Sequence, residues 1–361
     1  MRKLLRNWSE KTGQYERLLR LYFKWSLFIK RLETRVLIPV LSASGLMRKV
    51  YFALFSDVFS SEMKLYILGR QAYLKRSLFQ QGNPSHLRRN IHRLEKGLMA
   101  ENRKAFFGAD YLLETVHQFA YSVEELQQCT LNDWAFDVLE QYFQCSPEVP
   151  LVTQAQGIFS AVNYLKLLPA VYRGPFVKSP TDQELYARFQ QLAQSRKSVR
   201  SFVPGSVPSA DVLKRAVALA ALAPSSCNRQ PFRFVVLTEA PLVGDVARLA
   251  GGARSFAEGI PALAVVLGST AVSPSPGDRH LMYIDGSLAA MSFMLALESQ
   301  GCGSCPINWP DHQKADRALR KHLTMKEYER PVMLIAMGMA KDNSMVACSV
   351  RKEVEELLEI L

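Results

Sequence analysis

Two periodicities divide the chain. From residue 14 to about 170, apolar positions recur at helical spacing, as in YLLETVHQFAYSVEELQQC and NDWAFDVLEQYFQC, and no stretch alternates as a half-buried strand would. The pattern predicts an all-helical region. IHRLEKGL at 91–98 reads as a helix with Gly97 near its end. Between 172 and 182, YRGPFVKSPTD brings Gly174, Pro175 and Pro180 together and interrupts the helical rhythm. Beyond it the pattern is mixed. ELYARFQQLAQSR and DVLKRAVALAALA predict helices, RFVVL and ALAVVLGS buried strands, YIDGSLAAMSFMLALESQG a long apolar helix, and PVMLIAMGMA a third strand. Strands interleaved with helices indicate the α/β or α+β class. The expected organisation is a helical region over 1–178 and a second domain over 179–361.

At 361 residues with 48% hydrophobic content, wholesale disorder is excluded and at least one large core is required. The six cysteines are too few for a disulfide scaffold, and the N-terminus shows no apolar signal region with a small-residue cleavage site. A reduced, cytoplasmic chain is expected. The apolar run VLIPVLSASGLM at 36–47 stops at Arg48 and Lys49, short of the ~20 residues needed to span a bilayer. No transmembrane helix is expected.

Charge changes the picture once it is located. Residues 1–50 hold twelve Lys and Arg against three Glu, so most of the net charge of +12 belongs to this arm. Within it Leu18, Leu21, Tyr22, Trp25, Phe28, Ile29 and Leu32 recur at helical spacing, with Arg17, Arg20, Lys24 and Arg31 on another face. A basic amphipathic helix over 14–35 suits an anionic membrane, here the inner face. The plainer alternative is a helix docked on the protein's own core. Nucleic acid is a third and weaker reading, since no recognised binding module accompanies the charge.

Candidate chemistry concentrates in the C-terminal half. RKSVRSF places Arg196, Lys197 and Arg200 around Ser198, a set of charge-assisted donors for a phosphate group that would equally form an exposed basic cluster. APSSCNRQPFRF, between a helix and a strand, carries more hydrogen-bonding side chains than a turn needs. Cys302 and Cys305 form a C-x-x-C without thioredoxin-like context, which favours small apolar packing over redox chemistry. Asp285 reads as a cap at a helix start, and His92, Glu95 and Lys96 as a solvated face. The six histidines are scattered and form no triad or metal set, and neither G-x-G-x-x-G nor a P-loop is present.

Taken in order, RKSVRSF, LAPSSCNRQPFRFVV, DGSLAAMSFMLALESQGCGSCPIN and RPVMLIAMGMA followed by SVRKEVEEL resemble the nitroreductase family of FMN-dependent oxidoreductases, from about Glu184 to the C-terminus. Residues 1–180 lie outside the resemblance. It implies an α+β fold, a central mixed sheet flanked by helices, preceded here by an all-helical region. It further implies that Arg196, Lys197, Ser198, Arg200 and Arg351 hold the phosphate and ribityl chain of FMN. Pro224, Ser225, Ser226, Asn228 and Gln230 would line the flavin ring, commonly that of the partner in a homodimer with FMN at the interface. Pro306, Ile307 and Asn308 would contact the reactive edge through their backbone. Ser349 stands where relatives often carry a second basic residue, and Trp309 where many have glycine, a position from which it could cap the ring. The activity implied is ping-pong hydride transfer from NAD(P)H through FMN to an unidentified acceptor. No matched side chain is an obvious general acid, so no catalytic residue is named. The alternative is an accessory flavin-fold protein that docks on a membrane-associated bacterial assembly, for example one for polysaccharide biosynthesis.

Overall fold

The computed structural model describes residues 15–56, 58–78, 82–311 and 313–361. The start of the basic arm, residues 1–14, lies outside them, as do the side chains of 15–20 and 23, including the expected Leu18 and Arg17 and Arg20. The chain forms two compact units, Met1–Met63 and Lys64–Leu361.

In the first unit, α1 (Tyr15–Leu32) runs through a π-helical turn (Glu33–Leu37) into α2 (Ile38–Ala43), and α3 (Gly45–Leu54) follows at a bend of 115°. The π turn precedes Pro39, which lacks an N–H and so loosens the backbone ladder behind it. None of the described residues from 21 to 63 is buried. Leu21, Tyr22, Trp25, Phe28, Ile29 and Leu32 are all exposed.

Helix α4 (Ser60–Leu78) leads into the second unit. There α5 (Pro84–Met99), α6 (Leu112–Leu126), α7 (Thr130–Cys145) and α8 (Pro150–Ala161) enclose a core that includes Leu87, Ile91, Leu94, Phe119, Leu139 and Tyr142. Helix α5 starts where expected of Asn-Pro: the Asn83 side chain accepts from His86 N at 3.2 Å, with Pro84 at the first turn. Gly97 stands two residues before its end, as the pattern predicts. The helix continues to Met99, and the Phe107 ring occupies the space a Cβ at Gly97 would need. Glu95 accepts from the Trp134 indole at 3.1 Å, so the polar face of this helix is only partly a solvated one.

Two fully or nearly buried carboxylates on α7 hold the loop that leaves this helical core. Asp133 accepts from Tyr164 Oη (2.7 Å), Leu167 N (2.8 Å) and Leu168 N (3.2 Å), and Asp137 from Lys166 Nζ (2.7 Å) and Arg173 N (2.7 Å). Burial pushes the Asp133 carboxyl up, but these bonds outweigh it and the net shift is downward.

The remainder is the α+β domain. In order come α9 (Leu185–Ser195), α10 (Ala210–Ala220), β1 (Phe232–Leu237), α11 (Ala240–Leu249), β2 (Ala262–Ser269), α12 (Leu281–Glu298), β3 (Gly303–Asn308), α13 (Gln313–Leu319) and β4 (Glu329–Gly338). The sheet has the order β1-β2-β4-β3, and every strand pairing is antiparallel. The parallel component of the expected mixed sheet is a single bridge, Ser198 to Ser304. Three of the strands match the apolar runs; the fourth, β3, is GSCPIN, which is short, contains proline and carries no strand pattern.

Both faces of the sheet are covered. Leu263, Val265 and Leu267 of β2 face α11 and α13, while Ala262, Ala264 and Val266 face α10 and α12. That double burial is why ALAVVLGS is apolar without alternation. Helix α4 reaches this domain at close range: Gly69 lies against Thr270, whose hydroxyl donates to Leu65 O at 3.0 Å, and Arg70 donates to Pro274 O.

Asp133→Ala should destabilise the protein by ~3–5 kcal/mol at neutral pH, as expected when one partner of a buried charge network is removed. Because the folded carboxyl has the lower pKa, its contribution is complete above the ordinary aspartate value and is lost as pH falls through the folded one. Urea titrations of both proteins should therefore converge in acid; a constant gap from pH 7 to 3 would contradict this account.

Candidate functional site

The RKSVRSF segment follows α9 and lies along the outer edge of β3. Val199 N donates to Ser304 O at 3.0 Å, and the backbone runs parallel to the strand there. Val199 is buried, which leaves its neighbours to either side of a fixed point. Ser198 is half-buried, and Lys197 and Arg200 are exposed. Arg196, Ser198 and Arg200 all lie close enough to the Cys305 thiol to lower its pKa, against a larger upward push from burial. Two buried polar atoms here have no hydrogen-bond partner, Arg196 Nη1 and Ser304 Oγ. Buried polar groups are normally satisfied, so each of these orphans, the guanidinium N–H at the end of α9 and the hydroxyl on β3, is a group that a ligand could meet.

On β3, Pro306 and Asn308 are exposed while Ile307 is buried. Strand alternation turns the backbone groups of Cys305 and Ile307 toward β4 and those of Ser304, Pro306 and Asn308 toward the open edge. Proline is tolerated because this is an edge strand, and the Asn308 N–H is a donor that the pairing with β4 does not use. Trp309 does not cap this surface. It is buried in the core beneath, its indole N–H donating to Asp316 at 2.8 Å.

The APSSCNRQP loop leads into β1, the opposite edge of the sheet. Three strand spacings of ~4.8 Å separate the two edges, or about 14 Å. The loop is tightly determined. Ser225 Oγ donates to Asp285 Oδ2 at 2.7 Å and accepts from Gln230 N at 2.8 Å, while Ser226 N donates to the same carboxylate at 3.1 Å. Gln230 Nε2 donates to Asn228 Oδ1 at 2.7 Å, and Pro224 is exposed. Cys227, Asn228 and Gln230 all have positive φ, at 51°, 49° and 49°. Outside glycine, each such residue costs on the order of 1–3 kcal/mol, and clustering of that strain is common at binding sites.

Two residues missed from the sequence maintain the strain. Asp285 is not a cap: it sits a turn inside α12, 2% exposed, and clamps Ser225 and Ser226. Its signal was a carboxylate inside an apolar stretch of helix, which demands a buried partner. Arg229, between the polar positions, is buried and pairs with Asp278 at 2.9 Å while binding Ser226 O and Oγ, both at 2.9 Å. Helix α5 packs beside the Ser226–Asn228 turn.

Arg351 lies elsewhere. It is in the exposed C-terminal segment, where its Nη1 donates to Ser349 O at 2.9 Å. Cys302 and Cys305 are both buried free thiols whose pKa is raised by burial, and they belong to the two different cores on opposite faces of the sheet. They do not form a dithiol. No group of three or more His, Cys, Asp and Glu suited to a metal occurs among the described residues.

Residues 193–250 and 241–339 match the family model described as the Nitroreductase family. YdgI of Bacillus subtilis (strain 168), provisionally named an NAD(P)H nitroreductase, is 25% identical over 189 residues, 43% of this chain and 89% of that protein. The iodotyrosine deiodinase of Thermotoga neapolitana is 27% identical over 150 residues, 35% of this chain and 76% of that protein. A solved nitroreductase family protein from Streptococcus pneumoniae TIGR4 superposes with a TM-score of 0.41 at 23% identity, over 48% of this chain and all of that one. The likeness is confined to the C-terminal half.

Asp285→Ala should release the strained loop while the sheet stays folded. Hydrogen exchange at Ser226 and Gln230 should accelerate at least tenfold, the consequence of losing about 1–3 kcal/mol of charge-assisted bonding. Exchange at those amides equal to wild type would mean that the clamp is not what holds them.

Proposed function

We propose that the chain is an FMN-dependent oxidoreductase of nitroreductase type, with 179–361 as its flavin domain. The observation that carries this reading is the orphaned buried Arg196 Nη1 in a cluster with Ser198 and Arg200 along the open edge of β3. Their chemistry fits the FMN phosphate, with Lys197 adding charge from the surface and Arg351 brought in by the C-terminal segment. The open edge of β3 would then meet the ring through Pro306, Ile307 and Asn308, the Asn308 N–H serving as a donor to the reactive edge. Bound there, FMN would supply hydride transfer, from NAD(P)H and then to a second substrate in a ping-pong sequence. The protein's contribution is position and preorganised donors, with no side chain named as a proton donor.

Two subunits complete each site in this reading. Pro224, Ser225, Ser226, Asn228 and Gln230 stand on the sheet edge opposite the phosphate residues, so they suit the flavin of a second copy better than their own. Ile284, Leu288 and Met291 form an exposed apolar stripe on α12, one face of the helix that clamps the loop. Met345, Val350 and Ile360 expose further apolar surface along the C-terminal segment. A homodimer would cover both. Six free cysteines support a reducing, cytoplasmic setting.

Purified protein should be yellow, with a flavin spectrum bleached by NADH or NADPH. Arg196→Ala with Arg200→Ala should weaken FMN retention tenfold or more, given charge-assisted bonds of about 1.5–3 kcal/mol each. Colourless protein that takes up no added FMN would instead indicate an accessory scaffold.

A further inference from the structure

The first unit has length, charge and backbone chemistry that none of the residues above accounts for. Its apolar residues are not gathered on one stripe of one helix. Val36, Ile38, Val40, Leu46 and Met47 surround the bend between α2 and α3, and all are exposed. The uncharged stretch 36–47 is centred on that bend, with Lys30, Arg31 and Arg35 before it and Arg48 and Lys49 after it. Aromatic residues stand farther out on both legs: Trp25 stacks on Phe28 at 5.8 Å, and Tyr51 on Phe55 at 6.3 Å.

The break is also partly satisfied from within. A helix end leaves carbonyls without partners, and in lipid no water can meet them. Here Ser44 N donates to Val40 O at 3.2 Å, and Arg48 Nη1 donates to Leu41 O and Ser42 O, both at 2.8 Å. Ser44 Oγ accepts from Met47 N at 3.3 Å, capping the start of α3. One cation next to the apolar apex thus closes the last carbonyls of one helix, leaving its other N–H groups for an outside acceptor.

We propose that residues 15–54 form a helix–break–helix wedge that inserts its apex, residues 36–47, into one leaflet of an anionic phospholipid bilayer. Residues 36–43 measure ~12 Å along the helix axis. Half of a ~30 Å hydrocarbon core is ~15 Å, so the apex enters a single leaflet and does not cross. Lys30, Arg31, Arg35 and Lys49 stand on either side toward the headgroups, while the Arg48 guanidinium stays on the Leu41 and Ser42 carbonyls at the bend and offers its remaining N–H groups to a phosphate drawn toward it. Trp25, Tyr51 and Phe55 lie at the interface, where aromatic residues are favoured. The wedge differs from a flat amphipathic helix, whose anchoring would reside in α1 alone. It is independent of the flavin reading.

The test is flotation of the full-length protein with phosphatidylcholine vesicles containing 30% phosphatidylglycerol, and with phosphatidylcholine alone. Wild type should float with the anionic vesicles, and Trp emission should be quenched by brominated acyl chains. Val40→Asp with Leu46→Asp should weaken partitioning by about tenfold or more, since acidic residues in the hydrocarbon region are strongly disfavoured. Neither side chain is buried, so the circular dichroism spectrum and thermal midpoint should match wild type. Arg48→Ala, which unseals the Leu41 and Ser42 carbonyls, should weaken partitioning while leaving the apex apolar. Flotation unchanged in the double variant would overturn the wedge in favour of α1 lying flat. Wild type that does not float, but forms an oligomer dispersed by the same double variant, would overturn it in favour of a contact between copies of the chain.

Discussion

Double-sided burial of β2 is the constraint on which the C-terminal half depends. Its odd-numbered residues pack toward α11 and α13 and its even-numbered ones toward α10 and α12, so β2 must run through the middle of the sheet. The strands left for the edges, β1 and β3, are the ones that adjoin the polar motifs. The RKSVRSF segment can lie along β3 only because that edge has unpaired backbone groups, and the APSSCNRQP loop leads into the other edge, β1. Separation of the two motifs follows from the packing of an apolar strand.

Buried carboxylates set the irregular chain around this core. Asp133 and Asp137 hold the loop after the helical core, Asp285 holds the loop before β1, and Glu329 joins Arg233 at 2.7 Å to Lys326 N at 2.8 Å. Each gathers several donors at once, which fixes a loop without a hydrophobic contact. At Asp285 the fixed loop is a strained one, with three left-handed residues in four positions, and the strain persists because Arg229 and Asp285 over-determine it. The polar residues of that loop are therefore held in place before any ligand arrives.

Residues up to 63 follow the opposite logic. Their helices have apolar side chains but no buried ones among the described residues, and a side-chain cation closes carbonyls at the bend. A segment of this kind gains its stability from something outside itself. Helix α12 is a useful contrast. It too is long and apolar enough to cross a membrane by composition, but half of its length is buried inside the protein, as a core helix of a soluble domain would be.

The sequence alone determined what depends on neighbours along the chain. Helical periodicity, the apolar runs of three strands, the basic arm and the two polar motifs of the α+β domain were all legible, because each rests on spacing and side-chain type. The fourth strand was not, since GSCPIN becomes a strand only by pairing with β4 on an edge that tolerates Pro306. Asp285 read as a helix cap and Trp309 as a lid because both are typed by local context, whereas their partners, Ser225 and Ser226 in one case and a buried core with Asp316 in the other, are brought near only by folding. Local chemistry is written in adjacent residues; which polar group is orphaned, clamped or buried is decided by contacts across the fold.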